Sequence, residues 1–246
     1  MILNVISSSS DGNCYLLTDS GGNTLIIECG VRMAEIKQAL RFRLSGVVGC
    51  VVTHEHNDHA RSISPLLKSG IMVLASEETL KAKGVYTVPF ALVAKPKHRY
   101  QLGGFSVLAL QAYHDAPCLC YVIEHEEMGK LLFATDTYKL PYRIKGISHM
   151  MIECNYLDEV VEWREKKGLC PEGHKDRLML SHMELKTTAK VIEQNLCDSL
   201  QDIILLHLSS DNADAERMTD YCGRVSGLPV YAAHPGMEMI IGNTPY

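Results

Sequence analysis

Three features are absent from this sequence, and each absence removes a class of protein. The nine cysteines are scattered, odd in number and without a C-x-x-C pair, so no disulfide framework can be read from them. No apolar run approaches the length that crosses a bilayer, and the N-terminus lacks the basic start and long apolar stretch of a signal peptide. We therefore expect a cytoplasmic protein with reduced thiols and no membrane association.

Net positive charge is also missing, because the formal net charge at pH 7 is −5. Proteins that bind nucleic acid tightly without sequence preference depend on Lys and Arg to neutralise phosphates, so this balance argues mildly against such a binder. Basic side chains are nonetheless clustered at residues 95–99, 139–145 and 164–167. Each cluster can be read as a solvated surface, and the last two can also be read as the wall of a nucleic-acid groove.

What the sequence does contain is one continuous series of strands and helices. Short segments rich in Val, Ile and Leu are bounded by Gly, Asp, Asn and Ser, and no repeat, low-complexity tract or linker interrupts them. Apolar residues at helical spacing predict helices that begin near Met33 and Ile63. Two groups of strands with helices between and after them favour two sheets with helices on their outer faces. We therefore expect an α/β sandwich formed by one domain over residues 1–246.

The stretch CVVTHEHNDHARS, residues 50–62, is the strongest chemical signal. It places His54, His56, Asp58 and His59 directly after an apolar run. Imidazoles and carboxylates packed this closely are costly to desolvate without a partner. Neutral imidazole and carboxylate together suit zinc, iron or manganese, so we interpret the stretch as a metal-binding loop.

Three further apolar strands end at a residue that can bind a metal. His114 follows FSVLALQAY, Asp136 follows KLLFAT, and His207 follows DIILL. A sheet brings strand ends to one rim, and loops held there by a rigid scaffold are where sites are usually built. One histidine after a strand is more often a structural residue, but these strand ends together with the histidine-rich loop predict one metal centre.

These residues, in this order, resemble the motifs of the metallo-β-lactamase superfamily, and the resemblance covers nearly the whole chain. It implies that the sandwich is the four-layer αββα metallo-β-lactamase fold. It also implies two divalent metal ions, with zinc preferred and manganese or iron as alternatives. The implied ligands are His54, His56 and His114 for the first ion, Asp58, His59 and His207 for the second, and Asp136 as a bridge between them.

Shorter stretches narrow the resemblance to the YycJ-like or WalJ-like proteins, which are regarded as DNA exonucleases or nucleic-acid phosphodiesterases. The stretches are ISSSSDGNCYLL, HDAP, FATDT, IECN and HLSSDN. These proteins are similar in turn to RNase Z, in which a histidine before the last metal ligand serves catalysis, and LSHMELKTTAKVI gives that place to His182. Two departures leave the ligands intact: Glu28 stands where the family usually has Asp, and Tyr156 follows Asn155 where His often stands.

The resemblance implies a metal-dependent hydrolase, most specifically a phosphodiesterase or nuclease acting on DNA or RNA through a hydroxide shared by two metal ions. Asp58 and His182 are the implied catalytic residues, and His182 would give a proton to the leaving alkoxide, because both forms of an imidazole are available near neutral pH. Nucleic acid is then the substrate, and a homodimer is an open alternative to a monomer. Without the resemblance, His182 reads as a helix-start residue, because Ser181 and Glu184 have the spacing of a capping box.

Three other functions stay open. The main alternative is a small-substrate hydrolase of a lactone, thioester or similar ester, with a snug apolar pocket and no need for His182. An oxidoreductase is disfavoured, because the diiron oxygen reductases carry Glu where this chain has His56, and no flavin domain is attached. A metal-binding scaffold without catalysis is the last, and the presence of all seven ligands argues against it.

Overall fold

The computed structural model describes residues 1–171 and 173–242, and its framework is two seven-stranded sheets. The strands of the N-terminal sheet are β1 (Ile2–Ser9), β2 (Gly12–Thr18), β3 (Thr24–Ile27), β4 (Val47–Val51), β5 (Val73–Ala75), β6 (Ala91–Val93) and β14 (Glu238–Ile240). The strands of the C-terminal sheet are β7 (Arg99–Leu102), β8 (Phe105–Tyr113), β9 (Pro117–His125), β10 (Gly129–Ala134), β11 (His149–Glu153), β12 (Asp202–Leu206) and β13 (Val230–Ala232). The helices are α1 (Met33–Ala39), α2 (Asn57–Ala60), α3 (Ile63–Lys68), α4 (Glu77–Ala82), α5 (Asp158–Lys166), α6 (His174–Ser181), α7 (Leu185–Asn195) and α8 (Ala215–Ser226).

The N-terminal sheet has the order β14-β1-β2-β3-β4-β5-β6. Its first strands pair antiparallel, and β3 to β6 pair parallel. Side chains alternate between the two faces, so that Tyr15 and Leu17 of β2 enter the core between the sheets, while Cys14 and Leu16 pack on the outer face. Both faces are covered, which explains why these strands read as continuous apolar runs.

The C-terminal sheet has the order β13-β12-β11-β10-β9-β8-β7. Strands β7 to β10 form an antiparallel meander, and β10 to β13 pair parallel. Gly129 lies at φ 75° at the start of β10, a left-handed conformation that glycine adopts without a Cβ clash. A tight hairpin turn therefore joins β9 to β10 at this glycine.

Three apolar clusters define the layers. One lies between the two sheets and includes Tyr121 and Phe133, and the other two lie on the outer faces. Ile36 of α1 and Leu66 of α3 pack on the N-terminal sheet, and Ile192 of α7 packs on the C-terminal sheet. Helix, sheet, sheet and helix thus follow one another, as the αββα sandwich requires.

Some short elements were not predicted, and their length is the reason. Strands β6 and β7 have 3 and 4 residues, and β7 carries Arg99 and Gln101, so neither shows a readable period. No helix within residues 1–171 and 173–242 is long and apolar enough to cross a membrane. The single domain over residues 1–246 stays a prediction.

Candidate metal centre

The strands β4, β8, β10 and β12 end at one rim of the sandwich, and the loops that follow carry all seven residues singled out in the sequence. Two hydrogen bonds between the sheets fix this rim: Leu119 N–H donates to the Thr53 carbonyl, and His207 N–H donates to the Ser8 hydroxyl, each at 3.0 Å. Asp136 and His207 have φ values of 46° and 53°, which non-glycine residues seldom adopt. Such strained conformations are concentrated at functional sites.

The first ligand cluster consists of His54, His56 and His114. One ligand atom from each lies within 4.8 Å of the others. His114 Nε2 and His56 Nδ1 are 3.3 Å apart. Three imidazoles with one shared centre are a ligand set that zinc accepts.

The second ligand cluster consists of Asp58, His59, Asp136 and His207, again within 4.8 Å of one another. His59 Nε2 lies 3.2 Å from Asp58 Oδ2 and 3.3 Å from Asp136 Oδ1. The other oxygen of Asp136, Oδ2, lies 3.8 Å from His114 Nε2 of the first cluster. The carboxylate of Asp136 thus faces both clusters, which is the geometry that a bridging ligand needs.

Three of the imidazoles are oriented by a bond at Nδ1, so that their Nε2 atoms are presented to the centre. The Nδ1 partners are Thr53 Oγ1 at 2.9 Å for His54, the Ser181 carbonyl at 2.9 Å for His114, and Glu153 Oε1 at 3.2 Å for His207. The Nε2 atoms of His54 and His207 are buried without a hydrogen-bond partner in the described part of the chain. A buried polar atom left unpaired costs about 1–3 kcal/mol, so these atoms fit ligands of a divalent cation.

The pKa values of the histidines differ between the two clusters. Burial, with the positive charge of His59 close by, lowers the pKa of His54 well below its usual value, which leaves a neutral ring with a free lone pair. Burial also opposes charge on His59, but the carboxylates of Asp136 and Glu28 outweigh it and raise the pKa of His59 well above its usual value. A cation entering the second cluster must therefore displace a proton from His59, and its affinity falls as the pH is lowered.

Residues behind the histidine-rich loop hold it in place. Glu28 is fully buried, accepts a hydrogen bond from Thr53 N–H at 3.2 Å and lies 3.7 Å from His59 Nδ1. Its φ of 60° lies in the left-handed region, which non-glycine residues seldom adopt. A Cβ at Gly30 would lie 1.6 Å from the carbonyl oxygen of Asp58, so only glycine allows this close approach.

His182 stands at the edge of both clusters. Its ring centroid lies 5.4 Å from that of His114 and 5.3 Å from that of His207. Its Nδ1 donates to Glu153 Oε1 at 2.6 Å. Burial opposes the charged form, but the Glu153 carboxylate outweighs it and raises the pKa of His182 to about 9.

The helix-start interpretation of His182 is wrong. Ser181 is the last residue of α6, His182 follows as its C-terminal cap, and Glu184 is the N-terminal cap of α7. The Glu184 side chain accepts hydrogen bonds from Lys186 N–H and Thr187 N–H, within its own helix. Ser181 and Glu184 therefore belong to different helices and form no capping box.

The functional residue that sequence reasoning missed is Glu153. It is fully buried at the end of β11 and accepts hydrogen bonds from both His182 and His207. Further donors are the backbone N–H groups of Thr137 at 3.0 Å and Met183 at 3.3 Å. The sequence did contain a signal for Glu153, because a charged residue ends the apolar strand β11, just as metal-binding residue types follow the other apolar strands. Glu153 and His182 also form a third candidate metal group with Asp136 and His207.

Two basic clusters were predicted to line a groove, and the contacts of three of their residues bear on that prediction. Lys139 lies at the rim, next to Tyr113, but Lys145 accepts a hydrogen bond at its carbonyl from Lys130, near the opposite end of β10. Arg164 is engaged by Asp211 at 3.4 Å. These contacts place Lys139 at the rim and Lys145 away from it, and they pair Arg164 with a residue of the segment that follows His207; the groove formed by residues 139–145 and 164–167 stays a prediction.

Comparison with known proteins gives a consistent result. Residues 10–174 match the family model described as the metallo-beta-lactamase superfamily. Exodeoxyribonuclease YycJ of Bacillus anthracis is 28% identical over 224 residues, which span 85% of this chain and 82% of that protein. The metallo-beta-lactamase fold protein YhfI from Bacillus subtilis has a TM-score of 0.75 at 16% identity, covering 97% of this chain and 98% of that one. Human tRNase Z, short form, has a TM-score of 0.62 at 12% identity, covering 98% of this chain and 99% of that one. The fold class predicted from the sequence is confirmed.

Proposed function

The chain belongs to the metallo-beta-lactamase superfamily, and from that premise we propose that it is a metal-dependent phosphodiesterase that hydrolyses DNA or RNA. The observation that carries the proposal is the hydrogen bond of 2.6 Å between His182 and Glu153, beside the two ligand clusters. An alkoxide leaving group needs a proton, and this pair holds one where a phosphodiester on the ligand clusters would place that group.

The same proposal assigns the metal ligands. We assign one divalent cation to the first cluster and one to the second, with zinc as the preferred ion. Asp136 would help to hold both ions, because its Oδ1 faces His59 of the second cluster and its Oδ2 faces His114 of the first. When bound, the cations would supply an activated water nucleophile and neutralise charge on the phosphate oxygens.

The protein's own groups carry the proton chemistry. Nδ1 of His182 is committed to Glu153, so Nε2 is the atom that delivers a proton to the leaving oxygen. Asp58 is partly exposed, and hydrogen bonding from His59 outweighs its desolvation and lowers the pKa of Asp58. Asp58 therefore stays ionised and accepts a hydrogen bond from the attacking water. Glu153 touches no reacting atom and acts as a positioning residue for His182.

The relatives support nucleic acid as the substrate. The protein from Bacillus anthracis is named an exodeoxyribonuclease, and the human structural neighbour is named a tRNase Z. The small-substrate alternative expects a snug apolar pocket. The cavity adjoining His56 has a volume of about 290 Å³ and a largely polar lining of Glu55, Asn57 and Lys83 together with Ala82.

A substrate panel tests the proposal. Zinc-loaded and manganese-loaded protein is compared on labelled single-stranded DNA and RNA, duplex DNA, bis-p-nitrophenyl phosphate and a lactone at equal enzyme. We expect hydrolysis of oligonucleotides that stops with chelator, and a loss of about 10²–10⁴-fold in kcat for His182→Ala. Hydrolysis of the lactone alone, or a loss of less than about tenfold for His182→Ala, would contradict it.

A further inference from the structure

Two tyrosines and one lysine lie side by side at the rim, and neither the ligand clusters nor the proton chemistry uses them. Lys139 Nζ lies 4.2 Å from the ring centroid of Tyr113 and 5.3 Å from that of Tyr138. The ring centroids are 6.1 Å apart, with their planes inclined by 59°. Both rings are half-buried and Lys139 is exposed, so the group reaches solvent.

We propose that Tyr113, Tyr138 and Lys139 form a stacking platform for a nucleobase next to the scissile phosphate of a single-stranded polynucleotide. This proposal rests on the phosphodiesterase function proposed above and names its substrate more closely. Bases of a duplex are stacked on both faces and cannot lie on a side chain, whereas an unpaired base has a free π-face.

The backbone fixes the platform relative to the metal ligands. Tyr113 directly precedes His114, and Tyr138 follows Asp136 by two residues. Tyr113 N–H donates to Thr137 Oγ1, and Tyr138 N–H donates to the Tyr113 carbonyl, each at 3.0 Å. The loop after β10 is thus tied to the end of β8, and the two rings are held beside two of the proposed ligands before any substrate arrives.

The charges favour a nucleotide over an apolar partner. Lys139 forms no salt bridge within residues 1–171 and 173–242, whereas Arg99, Lys130, Arg164 and Lys175 each pair with a carboxylate. An unpaired ammonium on an aromatic face can turn toward a phosphate while a base takes its place on the ring. Neither tyrosine hydroxyl makes a hydrogen bond in the described part of the chain, so the rings themselves are what the site offers.

The platform is tested with single-stranded DNA and RNA oligonucleotides that each carry one abasic residue. The abasic residue is placed in turn at the terminal and the penultimate nucleotide of each end. For the zinc-loaded wild-type protein we expect kcat/KM to fall about 5- to 150-fold when the abasic residue occupies the stacked position. This abasic penalty is a ratio of two substrates on one sample, so a partly unfolded variant does not distort it. The DNA and RNA arms show which sugar accompanies the base.

Variants that remove an aromatic ring are compared with variants that keep the ring but lose the hydroxyl. Tyr113→Leu and Tyr138→Leu should lose the abasic penalty, while Tyr113→Phe, Tyr138→Phe and the remote Tyr231→Leu on β13 should keep it. A 2-aminopurine base at the same position, joined by an uncleavable phosphorothioate linkage, should be quenched on binding to the wild type and the Phe variants but not the Leu variants.

The platform is refuted if the wild type cleaves oligonucleotides without an abasic penalty at any position, or if the Leu variants keep the wild-type penalty. Loss of the penalty in the Phe variants would also refute it. A wild-type protein that cleaves no oligonucleotide removes the proposed function and the platform with it, so the two failures are told apart.

Discussion

Glu153→Gln should deprive His182 of the proton that it holds. The carboxylate is the cause of the raised pKa of His182, about 9, against the opposing effect of burial. Without that charge, the pKa should fall to its ordinary 6.5 or below. At pH 8 the protonated fraction of His182 then falls from about nine tenths to about 3%, a drop of about 30-fold in the general acid.

Two assays follow from this magnitude. NMR titration of the imidazole in metal-free protein should give a pKa near 9 for the wild type and 6.5 or lower for Glu153→Gln. Metal-loaded protein should show a lower kcat on an oligonucleotide in Glu153→Gln than in the wild type, with a larger reduction at pH 8 than at pH 6, because the variant lacks the carboxylate that holds the proton on His182. Because a raised pKa stabilises the fold below pH 6.5 and loses that effect as the pH rises through 9, the variant should also lose more stability at pH 6 than at pH 10.

The chain offers a matched control for this substitution. Asp202 pairs with His149 Nδ1 at 2.9 Å in a second buried pair, at the opposite end of β11 and β12. Asp202→Asn should change stability while leaving kcat at pH 8 within about twofold. A titration of His182 in Glu153→Gln that stays within half a pH unit of the wild type would refute the reasoning. Metal content is measured in parallel, because Glu153 also accepts a hydrogen bond from the proposed ligand His207 and its replacement weakens metal binding.

The remaining predictions concern the metal loop, the ions and the substrate. Gly30→Ala should lower the unfolding free energy by about 3 kcal/mol and reduce bound zinc, since its Cβ would lie 1.6 Å from the Asp58 carbonyl oxygen. Gly223→Ala is the control, because its Cβ would meet no atom closer than 3.7 Å, and equal zinc in both variants would contradict this prediction. Zinc at a hundred times its Kd should raise the unfolding free energy by about 2.7 kcal/mol for each site filled, measured by urea denaturation, and an unchanged midpoint would contradict a metal centre. The logarithm of KM for an oligonucleotide should rise linearly with the logarithm of salt concentration. Lys139→Gln should reduce the slope of that line by about 1, and an unchanged slope would place Lys139 away from the phosphates.

The sequence was informative where chemistry is concentrated locally. Four side chains that are able to bind a metal within residues 54–59 have no common structural explanation. The strand ends at His114, Asp136 and His207 could be predicted from the apolar runs that stop there. Run length likewise predicted the central strands, because β3, β11 and β12 are buried on both faces and consist almost wholly of apolar residues.

The features that could not be predicted from the sequence depend on the course of loops and on contacts between residues far apart in the chain. Glu153 gains its role only because α6 returns His182 to the end of β11, at a sequence separation of 29. Ser181 and Glu184 have capping-box spacing, yet the break between α6 and α7 falls between them. The loop after Asp136 carries Lys145 away from the rim and leaves Lys139 there, and no local pattern specifies that path.

Anomalous diffraction at the zinc edge, on crystals of the zinc-loaded protein, measures the central claim directly. Two peaks are expected at the rim, one among His54, His56 and His114 and the other among Asp58, His59 and His207, with Asp136 touching both. A single peak held by Glu153 and His182, or peaks away from these side chains, would contradict the account.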